Sequence, residues 1–95
     1  MKIKTIDINA KEWFDKINGN SYFSGEIVLN FGMKTEKTLF MPFQYGYGDH
    51  YQEMAFKEIQ EFLKIEIKGV LWRYCQEHNI ILRANKQENC LKRNL

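Results

Sequence analysis

The dipeptide Asn18–Gly19 is the strongest constraint on how this chain folds, because both residues accept the positive φ that a two-residue hairpin turn demands. After it, Tyr22–Phe31 alternates cleanly. Phe23, Ile27, Leu29 and Phe31 fall on one face; Tyr22, Ser24, Glu26, Val28 and Asn30 fall on the other. Before it, the Ile-rich start Met1–Asn9 reads as a first strand. Ala10–Ile17 supports two readings. Asn9 and Glu12 at capping-box spacing would open a short helix, whereas a strand would carry Trp13 and Phe14 on opposite faces. The hairpin is the favoured reading.

Further along, Gly32–Glu36 is a polar turn and Lys37–Tyr45 a strand with Leu39, Met41 and Phe43 on one face. Pro42 has no backbone donor, so this strand belongs at a sheet edge. Asp49 and Gln52 have the spacing of a capping box for a helix running to about Lys64, with Tyr51, Met54, Ala55, Ile59, Phe62 and Leu63 as its apolar stripe. A second helix over Gly69–His78 ends at Asn79, which tolerates the left-handed conformation. Ile80–Arg83 is a short last strand. Strands followed by helices predict an α+β fold: an antiparallel sheet of about four strands with two helices packed on one face. Ninety-five residues make one domain, 1–95, whose polar tail from about residue 86 is expected to be flexible.

Charge and chemistry exclude more than they select. The net charge is +2, so a strongly acidic nucleic-acid mimic is ruled out. Residues 80–95 carry +3 and the remainder −1, a mild basic bias that leaves nucleic-acid binding as a secondary expectation. No apolar run approaches the roughly 20 residues of a membrane-spanning helix, and the Lys-punctuated start has no signal-peptide core. Cys75 and Cys90, in a chain with no export signal, are expected to be free thiols. The spacings of His50, His78 and the serines form no catalytic arrangement, and Cys75, His78, Cys90 and His50 match no zinc module. The Gly46–Gly48 turn before a helix lacks the Lys-Ser/Thr pair of a phosphate loop, and Asp49 would repel phosphate there. The expectation is therefore no catalytic residues, no metal and no cofactor.

Aromatics make up 15% of the chain, more than one small core needs. Phe23, Phe31, Phe43 and Phe62 sit at core periods. Trp13, Asn18, Asn20 and Tyr22 gather at the hairpin, and Tyr45, Tyr47 and Tyr51 at the strand-to-helix turn. Aromatic faces stack on bases or anchor protein interfaces, and amides read polar edges. Those seven residues, with Arg83 to meet a phosphate, form the expected ligand-binding set.

The strings Trp13-Phe14-Asp15-Lys16-Ile17-Asn18-Gly19-Asn20-Ser21-Tyr22 and Pro42-Phe43-Gln44-Tyr45-Gly46-Tyr47-Gly48-Asp49-His50-Tyr51 resemble a group of small bacteriophage and prophage proteins that share a WFDKxNGNSY hairpin and a PFxYGYGDxY turn. Ile80–Arg83 and Cys90–Arg93 are also similar to that group. The resemblance implies a viral origin and a location in the host cytoplasm. By analogy of size and source, it implies a non-enzymatic host-defence antagonist. Such a protein would sequester a nucleotide-type signalling molecule or inhibit a host defence protein, as anti-CRISPR proteins do. Separately, a chain of 95 residues supports one core only marginally, so part of its apolar surface is expected to be buried in a homo-oligomer. The alternatives are a small nucleic-acid-binding accessory protein and a structural protein whose aromatic surface is an oligomer interface.

Overall fold

A computed structural model describes all residues from Met1 to Leu95. The hairpin forms: β1 (Thr5–Asp15) pairs antiparallel with β2 (Asn20–Leu29), and Ala10–Asp15 is strand rather than helix. Cross-strand pairs Ile6–Leu29 and Ile8–Ile27 put their side chains on one face, fully buried. Gly25, opposite Ala10, is required by close approach. A Cβ there would lie 2.5 Å from the Asn9 carbonyl oxygen and 2.9 Å from the Ala10 Cα.

The turn is longer than expected. Gly19 alone takes positive φ (71°), and its N–H donates to the Asp15 carbonyl across Lys16–Asn18. The Asp15 carboxylate explains why, since it accepts from the Ile17 and Asn18 backbone N–H groups and the Asn18 amide, holding those residues in a wider loop.

β3 (Lys37–Tyr45) pairs antiparallel with β2 and forms an edge, as Pro42 requires. Two helices follow, α1 (His50–Leu63) and α2 (Leu71–Glu77). They carry the chain to the opposite edge, where β4 (Ile81–Gln87) pairs with β1 in parallel. The α+β class holds, with sheet order β3-β2-β1-β4, but the sheet is mixed rather than purely antiparallel. The reason is the helical crossover, which returns the chain to the end where β1 began.

Of the phenylalanines expected in the core, only Phe23 is there, 1% exposed. Between the Phe23–Gln44 and Gly25–Met41 pairs, Ser24 faces two residues, Pro42 and Phe43. This bulge turns Phe43 away from Leu39 and Met41 and onto the opposite face. Phe31 follows Asn30, whose φ of 54° breaks strand alternation and turns Phe31 into solvent, 64% exposed. On α1 the buried stripe is Tyr51, Ala55, Phe56 and Ile59, so Phe56 takes the place expected for Phe62. Asp49 precedes α1 in the bridge region (φ −90°, ψ 8°) rather than the extended conformation of a capping residue and makes no side-chain cap; Gln52 donates instead to the Tyr51 hydroxyl. Asn79 has the expected positive φ, 54°. No helix is long and apolar enough to cross a membrane.

Asn30, 1% exposed, ties the start of the chain to the end of β2. Its side-chain Oδ1 accepts from the Lys4 and Thr5 N–H groups, and its side-chain amide nitrogen donates to the Lys2 carbonyl and the Thr35 hydroxyl. Asn30→Ala orphans these groups and places alanine at positive φ. We expect a loss of about 2–4 kcal/mol in urea unfolding, measured by circular dichroism.

Candidate functional site

The helices cover one face of the sheet. Strand alternation places Trp13, Tyr22 and Tyr45 on the other, and the β3 bulge adds Phe43 to them. Tyr22 is the hub. Its ring stacks on Trp13 (centroids 5.6 Å) and on Phe43 (5.1 Å, planes 7° apart), and Tyr45 meets it edge-on at 5.9 Å. Phe40 extends the patch along β3 and is 68% exposed; Tyr45 is 56% exposed.

The same face carries a groove of about 520 Å³. Asn9, Lys11, Ser24 and Glu26 form its floor, Phe40, Pro42 and Phe43 one wall, and the C-terminal Asn94 and Leu95 the other. The tail is seated against the sheet. The Cys90 N–H donates to the Glu12 carbonyl, Lys92 Nζ lies 5.2 Å from the Trp13 ring centroid, and Lys92–Asn94 forms a 3₁₀ turn.

The eight expected site residues therefore separate. Trp13, Tyr22 and Tyr45 come together. Asn18 and Asn20 stay at the hairpin tip, where Asn18 is engaged with Asp15. Tyr47, 70% exposed, lines a neighbouring hollow with Tyr45, Asp49, His50 and Glu53. Tyr51 leaves the set: the inward stripe of α1 buries its ring to 5% exposure, with Lys86 Nζ 5.7 Å from the centroid. Arg83 is committed to Asp7, donating from Nε at 2.5 Å and from Nη2 at 3.0 Å, so its charge is neutralised within the fold. Sequence reasoning missed Phe40, Phe43, Lys92 and Leu95. Phe40 was readable as the residue opposite in phase to Leu39 and Met41. For Phe43 the signal was Pro42, a residue at home in bulges.

The other reactive side chains stand apart. His50 Nδ1 lies 3.3 Å from Glu53 Oε2 on the first turn of α1, whereas His78 packs on Tyr74 with centroids 4.5 Å apart. No group of three or more His, Cys, Asp and Glu side chains converges. No family model, curated protein or solved structure matches the chain.

Two titrating groups give direct tests. Burial pushes the Cys75 thiol up to about 11, whereas Cys90 is partly exposed. At about pH 8, a chromogenic disulfide reagent is expected to titrate only Cys90 in the native protein and both thiols in denaturant. The Asn18 side-chain amide and the backbone N–H groups of the turn hold the Asp15 carboxyl below its ordinary 3.8. A depressed carboxylate stabilises the turn above its unfolded value, and that support is lost as pH falls through the lower folded value. Asn18→Ala should raise the midpoint of the Asp15 carboxyl titration, followed by NMR, back toward 3.8.

Proposed function

We propose that this chain is a non-enzymatic binding protein whose open aromatic sheet face grips a protein partner. On the resemblance to small phage proteins, that partner is a component of host defence and the chain its antagonist. The observation that carries the reading is the Trp13–Tyr22–Phe43–Tyr45 cluster on the uncovered sheet face, with Phe43, Tyr45 and the neighbouring Phe40 exposed to solvent and Trp13 and Tyr22 half-buried beneath them. Clustered aromatics on a preorganised surface are the usual anchors of protein interfaces, because they bury large area with little loss of side-chain entropy.

The same cluster weighs against a nucleotide as first ligand. The faces of Trp13, Tyr22 and Phe43 are largely occupied by one another. Arg83 is held by Asp7, and Glu26 places a carboxylate in the groove floor. A nucleotide reading retains one supporting observation, the amides of Asn9 and Asn94 beside Lys11 in the same groove.

The test uses a Phe40→Ser/Tyr45→Ser double variant. Both side chains are more than half exposed, so its melting temperature should match the wild type within a few degrees. Expressed in host strains carrying individual defence systems, the wild-type chain should restore phage plating against one of them. The double variant should lower that restoration at least about 100-fold, through loss of two interface anchors. Equal restoration by both proteins would refute the aromatic face as the working surface. Heat in calorimetry against cyclic oligonucleotides, abolished by Asn9→Ala, would replace the protein partner with a nucleotide.

A further inference from the structure

The two edges of the sheet are not alike. The β3 edge is interrupted by Pro42 and by the bulge at Pro42–Phe43. The β4 edge runs through seven residues, Ile81–Gln87, with neither proline nor bulge. Ile81 donates its N–H to the Lys4 carbonyl, so Ile81 faces β1. By strand alternation Arg83, Asn85 and Gln87 face β1 as well, and the N–H and C=O groups of Leu82, Ala84 and Lys86 point away from the sheet.

An open row of this kind is usually guarded by charged side chains. Here both cations of β4 are drawn back over the sheet. Arg83 is clamped by Asp7, on the face that carries the aromatic cluster. Lys86 is held on the opposite face by Glu12 Oε1 at 3.1 Å and by the Gly48 carbonyl at 2.9 Å. Ala84, midway along the strand, is exposed and has no side chain large enough to obstruct an approaching strand.

We infer that β4 pairs antiparallel with β4 of a second copy of this chain, joining two sheets into one continuous sheet about a two-fold axis. The strand's own pattern selects this occupant. A register centred on Ala84 overlaps the whole of β4 and sets Leu82 opposite the partner's Lys86 and Arg83 opposite the partner's Asn85, so no like charges face each other. Ala84 faces its own equivalent, and each donates to the other. Shifting the centre to Arg83 or Lys86 would set two cations face to face. The pairing edge lies apart from Phe40 and Tyr45, so a dimer formed there leaves the aromatic face of each subunit open.

The experiment combines mass and amide exchange. Light scattering from about 5 to about 200 µM should show a rise from the 11.4 kDa monomer toward twice that mass. Over the same range the Leu82, Ala84 and Lys86 amides should gain exchange protection, while those of Arg83 and Asn85 are protected throughout. Ala84→Pro removes a donor that serves no bond within the monomer, and should weaken association on the order of 10- to 100-fold through loss of the paired donations. Because proline could disturb β4 itself, the wild-type exchange pattern stands as an independent reading. Phe40→Ser should leave the mass unchanged. A wild-type monomer at every concentration, with Leu82, Ala84 and Lys86 exchanging freely, would overturn the inference. So would a dimer that survives Ala84→Pro and is lost in Phe40→Ser, which would put the second copy on the aromatic face.

Discussion

The register of β1 against β2 is the constraint on which the rest of the molecule depends. A slip of one residue by β1 would invert its side chains relative to the rest of the sheet, sending Ile6 and Ile8 into solvent and Trp13 into the core. Two local features hold that register. At the closed end, the Asp15 carboxylate gathers the turn's donors and Gly19 supplies the left-handed residue that brings the chain back. In the middle, only a residue without a Cβ fits between Asn9 and Ala10, so Gly25 is confined to one place. With the register set, apolar residues line one face for the helices to cover, and the aromatics of the hairpin are left together on the other.

The bulge in β3 serves two ends of the same architecture. It brings Phe43 onto Tyr22, completing an aromatic stack that spans three strands. It also spoils the outer edge of the sheet for further pairing, together with Pro42. At the other edge, the Arg83–Asp7 and Lys86–Glu12 pairs bind β4 to β1 across its two faces. The Arg83 side chain is exposed and Asp7 only partly covered, so solvent screens the pair and it adds little to stability. Their structural consequence is positional: they settle which surfaces stay open, the aromatic face and the β4 edge. The proposed partner binding uses the first and the proposed self-association the second.

Much of this was legible in the sequence wherever one period governed a segment. Alternation in Tyr22–Leu29, the edge role of Pro42, both helices and the left-handed Asn79 follow from local rules. What escaped has non-local causes. The parallel pairing of β4 depends on where a two-helix crossover lands, and no residue of Ile80–Arg83 encodes that. Phe43 was assigned to the core because alternation was carried through a bulge. Phe31 was misplaced in the same way, one residue past the left-handed Asn30. Asn30 itself looks in sequence like an ordinary outward-facing amide, although it is enclosed by Lys2, Lys4 and Thr5 from the distant start of the chain and by Thr35 from the following turn. Of the candidate site, Trp13, Tyr22 and Tyr45 were found from composition and clustering. Tyr51 and Arg83 were removed by tertiary partners that the linear chain does not reveal.

The central claim is that a register-locked sheet with a β3 bulge presents Trp13, Tyr22 and Phe43 together on an open face. The most direct measurement is the aromatic nuclear Overhauser spectrum, recorded with and without a soluble paramagnetic agent. The account predicts cross-peaks from the Phe43 ring to Tyr22 and Trp13, and broadening of the Phe43 signals by the agent. Cross-peaks from Phe43 to Ile27 and Ile59, with signals shielded from the agent, would contradict it.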